Sequence, residues 1–130
     1  MSLRFAGYAA LFDRPDAGSD IIRPGAFART LAERERPLPL LWQHAGRPIG
    51  AIESVAEDRK GLRVIARIDS SDHRAARLLR HRAVSGLSFG YRARGYRDLP
   101  QGRLLEDIEL LEVSLVTDPL QFGARVHLVQ

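Results

Sequence analysis

The sequence contains no cysteine, which removes disulfides, thiolate metal ligands and a thiol nucleophile together. Any covalent nucleophile must then be a hydroxyl or another group without sulfur. No apolar run approaches the roughly 18 residues of a membrane-spanning helix, and Met1 to Ala10 lacks the charged-then-apolar layout of a secretory signal. The expectation is an intracellular, cytoplasmic protein without membrane contact. Phosphate-cradling loops are missing as well: neither G-x-x-x-x-G-K-S/T nor G-x-G-x-x-G occurs, so nucleotide chemistry has no support. His73 and His81 share one expected helix, but neither is followed three or four residues on by a His or a carboxylate, so no metal and no cofactor is expected.

What the chain does have is a core. Of its 130 residues 45% are hydrophobic and 28% charged, the balance of a folded domain rather than of a disordered segment. The length suits one domain over 1–130. The 20 basic residues, nearly all arginine, outnumber 16 acids to give a net charge of +4. They are spread from Arg4 to Arg125 and interleaved with the acids, which reads as a solvated basic surface and not as a nucleic-acid-binding arm.

Apolar and aromatic Leu3 to Phe12 reads as a strand, closed by the turn-prone Asp13 to Gly18. Asp20 to Arg23 is a short extended piece, and Pro24 opens a helix to about Arg34. Leu38 to His44 reads as a strand that ends on His44. Ile49 to Val55 and Leu62 to Ile68 form a hairpin. Ser70-Ser71-Asp72 supplies N-cap chemistry for a helix that stops near Ser85-Gly86. Leu87 to Arg94 and Arg103 to Thr117, the second with room for a bulge, complete about six or seven strands and two helices. Strands joined mostly by short turns, without regular βαβ alternation, favour a mainly β fold: a closed antiparallel β-barrel with flanking helices.

Three residues carry candidate chemistry. His44 ends an apolar strand beside Trp42, and an imidazole there can take and return a proton at neutral pH; the competing reading is a satisfied, partly buried histidine. Ser88 lies between Gly86 and Gly90 on one strand face, and the glycines would clear space for a substrate backbone; the competing reading is a glycine-rich bend. It is not the G-x-S-x-G elbow, because Leu87 separates Gly86 from Ser88. Glu112 shares a face with Ile108, Leu110 and Val116, where burying a carboxylate requires a partner such as an oriented histidine; the competing reading is a solvent-facing glutamate.

Taken in order, Gly7-Tyr8-Ala9-Ala10-Leu11-Phe12, Ile22-Arg23-Pro24-Gly25-Ala26-Phe27, Leu41-Trp42-Gln43-His44, Pro48-Ile49-Gly50, Gly86-Leu87-Ser88-Phe89-Gly90-Tyr91 and Leu111 through Pro119 resemble the tailed-phage (HK-97-like) prohead protease family, distant relatives of the herpesvirus assemblins. The resemblance implies a barrel of the herpesvirus-protease type and a serine endopeptidase that cleaves scaffold segments of capsid proteins inside the assembling prohead. It makes His44 the base, Ser88 the nucleophile and Glu112 the third member. Herpesvirus relatives use a second histidine in that third role, which keeps His127 open, and a shift of strand register would bring in Glu109, Glu106 or Asp107. Arg92 or Arg94 could assist an oxyanion. The assemblin relatives often depend on dimers, so a homodimer is a further expectation.

Two readings from other classes compete: a catalytically inactive capsid-assembly or scaffold-binding module, and a nucleic-acid binder. The chain stops soon after Val126, and a longer natural C-terminal region, removed by autolysis or by design, is expected.

Overall fold

The computed structural model describes residues 1–130. Eight strands and two helices follow in the order β1 (Leu3–Leu11), β2 (Ile21–Ile22), α1 (Ala28–Glu33), β3 (Pro39–Trp42), β4 (Ala45–Glu57), β5 (Gly61–Ile68), α2 (Arg74–Arg80), β6 (Gly86–Asp98), β7 (Arg103–Val116) and β8 (Val126–Val129). The fold is mainly β with two helices, as expected, and the β4–β5 hairpin stands where the sequence puts it. No helix is long and apolar enough to cross a membrane.

The sheet is not purely antiparallel. β6 runs antiparallel along one edge of β7, from Gly86↔Val116 to Asp98↔Arg103. The other edge is taken by a parallel pass of the chain: β2 pairs at Ile21↔Leu104 and Ile22↔Leu105, and β3 at Leu40↔Val113 through Trp42↔Leu115. Between them α1 and the turn before it stay bound to β7, the Ile108 N–H donating to the Ala26 carbonyl of that turn and the Leu110 N–H to Thr30 Oγ1 of the helix. The sheet then continues β3-β4-β5-β1-β8.

Its two ends, β6 and β8, meet at one bridge, Gly86↔Arg125, where Leu87 N–H donates to Ala124 O and Val126 N–H to Ser85 O. No ladder follows. Continuing it would require Ala83 to Ser85 to be strand, but those residues are the exit from α2. The closed barrel of the sequence reading is therefore a strongly curled sheet, not a cylinder of continuous hydrogen bonds. β8 was not foreseen, since this short, mostly exposed strand lacks a sustained apolar alternation.

Alternation along β6 turns Leu87 inward to a fully buried position and Phe89 onto Phe27, whose ring it meets edge to face at 5.4 Å. Phe5, Leu40, Ile52, Leu62, Val64, Ile108 and Val113 fill the same core. Helix entry differs from expectation at both helices. The turn before α1 is held by the Glu57 carboxylate, which accepts from the Gly25 and Phe27 N–H groups at 2.9 and 2.8 Å. At α2 the cap is His73 Nδ1, which accepts from Ala75 N–H at 3.0 Å, and not the Ser70-Ser71-Asp72 hydroxyls and carboxylate.

Asp20 fastens β2 to the start of β7. Its carboxylate accepts from the Arg103 backbone N–H at 3.1 Å and from the guanidinium at 2.8 Å. The Arg103 hydrogen bond holds the Asp20 carboxyl below the usual carboxylate range. A depressed folded pKa adds stability above the unfolded value, about 3.9, that is lost as pH falls through the folded one. Asp20→Asn should therefore lower the urea-unfolding free energy at pH 7 by about 1 to 2 kcal/mol, with the gap from wild type closing towards pH 2; an equal gap at both pH values would contradict the pairing.

Candidate active site

With Leu87 and Phe89 inside, Gly86, Ser88 and Gly90 lie on the outer face of β6. Register sets them opposite Val116, Ser114 and Glu112 of β7. Ser88 and Ser114 are thus direct cross-strand neighbours, their Cβ atoms roughly 4.5–5.5 Å apart. Leu41 of β3 is paired with Ser114 from the other side, so Ser114 lies between β6 and the end of β3.

His44 does not end the strand, as the sequence suggested. β3 stops at Trp42, which pairs with Ala45, and Gln43-His44 is the two-residue turn of the β3–β4 hairpin. Both residues are left-handed, with φ of 55° and 60°. Such a turn matches strand twist, but it asks for residues like Asn-Gly. Each side chain here instead costs about 1 to 2 kcal/mol. The sequence signal was misleading because neither Gln nor His marks a turn.

The turn is fastened to β7. Gln43 N–H donates to Leu115 O at 2.9 Å, Thr117 N–H donates to Gln43 Oε1 at 3.0 Å, and Gln43 Nε2 bonds Thr117 Oγ1 at 3.2 Å. His44 N–H donates to Ser114 Oγ at 3.1 Å. The Ser114 hydroxyl donates to Glu112 Oε2 at 2.8 Å, and Glu112 Oε1 lies 2.5 Å from His44 Nδ1. The bonds close a ring that leaves His44 by its backbone and returns to its side chain.

The Glu112 side chain is 13% exposed and that of His44 41%; the whole of Ser88 is 9% exposed. A carboxylate this enclosed needs donors, and it has one on each oxygen. With Nδ1 engaged by Glu112, Nε2 is the imidazole nitrogen left for another partner. Ser88 makes no hydrogen bond to His44 in this structure. His44, Ser88 and Glu112 nevertheless all border one residue, Ser114.

The rival acids are occupied elsewhere. Glu109 lies 3.6 Å from both Arg92 and Arg94, Glu106 pairs with Arg23 and Arg97, and Asp107 with Arg29. His127 sits on β8 with its ring 5.9 Å from that of Tyr8. Arg92 and Arg94 are turned to Glu109 and Glu33 rather than to Ser88. Ser114, fully buried, is the residue the sequence reading passed over; its signal was a hydroxyl two positions from Glu112, hence on the same strand face.

The glycines are closely packed within the fold. A Cβ on Gly90 would stand 2.5 Å from Glu112 Oε1, and one on Gly86 would meet Val116 O and the Pro119 ring. They make room for neighbours within the fold. Gly90→Ala should push the Glu112 carboxylate off His44, costing about 1 to 3 kcal/mol by urea unfolding; its nearby counterpart Gly95→Ala, whose added carbon would meet only Asp107, its Cβ at 3.4 Å and its N at 3.9 Å, should be close to neutral. Equal stabilities would show that Glu112 does not sit as described.

Comparison with known proteins agrees on the family and the fold. The family described as caudovirus prohead serine protease matches residues 1–130. The prohead protease of Enterobacteria phage HK97 is 37% identical over 123 residues, which cover 88% of this chain and 55% of that protein. Among solved structures, the KSHV protease in complex with a hexapeptide phosphonate inhibitor matches with a TM-score of 0.66 at 17% identity, over 97% of this chain and 64% of that one. The varicella-zoster virus protease matches at 0.63 and 16%, over 98% and 64%. The chain thus spans about half the length of the phage relative and under two thirds of the herpesvirus proteases, whose likeness concerns the fold.

Proposed function

The chain belongs to the caudovirus prohead serine protease family, and from that membership we propose that it is a serine endopeptidase that cleaves scaffold segments of phage capsid proteins during prohead maturation. His44 is the general base, Ser88 the nucleophile and Glu112 the orienting acid. The observation that carries the reading is the Glu112–His44 Nδ1 contact on the patch that also holds Ser88.

Glu112, as a carboxylate, only accepts, so it favours the imidazole tautomer with its proton on Nδ1 and a lone pair on Nε2. Substrate binding brings Ser88 Oγ and Nε2 into contact, a tightening expected of catalytic hydrogen bonds that are loose in the free enzyme. Ser88 Oγ then bonds to the scissile carbonyl carbon while its proton passes to Nε2. The imidazolium, stabilised by Glu112, returns that proton to the leaving amine. Water, deprotonated through the same nitrogen, attacks the acyl-enzyme and releases the carboxylic acid and Ser88. Backbone N–H groups hold the oxyanion.

Residues 1–130 form the protease domain in this reading, and the curled sheet serves as a barrel whose seam is the Gly86–Arg125 bridge. The site of action is the interior of the assembling prohead within the host cell, with capsid or scaffold protein as partner.

Ser88→Ala should abolish cleavage of a cognate capsid or scaffold protein, with an unchanged circular dichroism spectrum. Persisting cleavage would overturn the assignment; a wild type that binds the capsid protein but never cuts it would favour the inactive assembly module. Glu112→Gln should slow cleavage by about 10²–10⁴-fold through loss of tautomer and charge, whereas Glu109→Gln should stay within about twofold. The reverse order would transfer the third role to Glu109.

A further inference from the structure

The ring through His44 has a direction, and the geometry points to Ser114 as the residue that sets it. A backbone N–H can only donate. Because His44 N–H points at Ser114 Oγ, the hydroxyl accepts there and its single proton is left for Glu112 Oε2, 2.8 Å away. That donation pins one carboxylate oxygen and turns the other, Oε1, to Nδ1 at 2.5 Å. A carboxylate oxygen accepts, so Nδ1 carries a proton, and in the neutral ring Nε2 keeps its lone pair. The chain of donors thus runs from a group that cannot reverse to the nitrogen that must be unprotonated, and Ser114 is its one hydroxyl link.

Ser114 is therefore a positioning residue. It rests on the reading that His44 is the base, and it works through Glu112 without touching substrate. Its place suits this. It is fully buried, it faces Ser88 directly across the β6·β7 ladder, and it is flanked on the other side by Leu41. Alanine there would leave His44 N–H without an acceptor and Glu112 Oε2 without a donor. The carboxylate could then rotate, and imidazole and carboxylate would no longer hold one arrangement.

The control is a hydroxyl bound to the same strand from α1. Thr30 Oγ1 also accepts a β7 backbone N–H, that of Leu110, at 3.1 Å, but it belongs to α1 and has no bond to the ring. Thr30→Val removes a hydroxyl of the same kind from outside the site.

The probe is a fluorophosphonate. Ser88 Oγ forms a bond to phosphorus, its proton passes to His44 Nε2 and fluoride leaves. Labelling of wild type, Ser114→Ala, Ser114→Thr and Thr30→Val is followed by intact mass against probe concentration, which separates the limiting rate from the half-saturating concentration. ¹⁵N spectra of the His44 ring report its tautomer independently. Ser114→Ala should lower the limiting rate by about 10- to 100-fold, leave half-saturation unchanged and give a mixture of tautomers where wild type shows the Nδ1–H form. Ser114→Thr should restore both to within a few-fold, and Thr30→Val should match wild type. A Ser114→Ala limiting rate within twofold of wild type, a tautomer that does not change, or an equal loss in Thr30→Val would overturn the inference. If wild type itself does not label, the catalytic reading fails while the tautomer comparison still decides the role of Ser114.

Discussion

A nearly enclosed carboxylate on the central strand is the constraint around which this fold is arranged. Glu112 lies mid-strand in β7 at 13% exposure, where an ion without donors would be costly. Its two donors come from different places: Ser114 from two positions along the same strand, and His44 from a turn that only the parallel docking of β3 beside β7 can bring near. The absence of a side chain at Gly90 is the third condition, because any Cβ there would meet Oε1. The mixed character of the sheet follows from the need to set β3 on that edge of β7.

Holding His44 there has an energetic cost that the surrounding bonds offset. Two consecutive left-handed residues with full side chains forfeit about 2 to 4 kcal/mol together. Against this stand the Gln43–Thr117 pair of bonds, Gln43 N–H to Leu115 O, and the ring through Ser114, each contributing about 1 kcal/mol net and more where a charge takes part. Strain of this kind persists only where neighbours over-determine the geometry. Here all of those neighbours belong to β7 or directly follow it, the strand that also carries Glu112 and faces Ser88, so the proposed base, orienting group and nucleophile are referred to one rigid element.

How much of this was legible in the sequence follows from what is local. Leu3 to Leu11, the β4–β5 hairpin, the α2 helix and the long β6 and β7 strands announce themselves through apolar spacing and turn residues a few positions away. The side-by-side placement of residues 21–42 and 104–115 does not, since a parallel pairing between distant segments leaves no periodic trace; the antiparallel expectation failed for that reason. Closure into a barrel by a continuous ladder is not seen, because Ala83 to Ser85 leave α2 where a further strand segment would be needed. At the candidate site, local chemistry singled out His44, Ser88 and Glu112 but left a bland reading open for each, and the ordered motifs tipped the balance. The turn under His44 and the Ser114 link were missed, one because Gln-His carries no turn signal and the other because a serine in an apolar strand looks like filler until its partners are seen. Gly86 and Gly90 were noticed for the right property, lack of a Cβ, but the neighbours inside the fold that need the space were not visible.

The central claim is that one patch on β6 and β7 holds Ser88 where it can react and His44 with Nε2 turned to receive the proton. A crystal structure of this chain after reaction with a peptide phosphonate tests it most directly. The account predicts a covalent bond from Ser88 Oγ to phosphorus, His44 Nε2 within about 3 Å of that oxygen or of a phosphonyl oxygen, and Nδ1 still on Glu112 with Ser114 bonded to the same carboxylate. Phosphorus bound to another residue, or Glu112 turned away from His44 in the adduct, would contradict it.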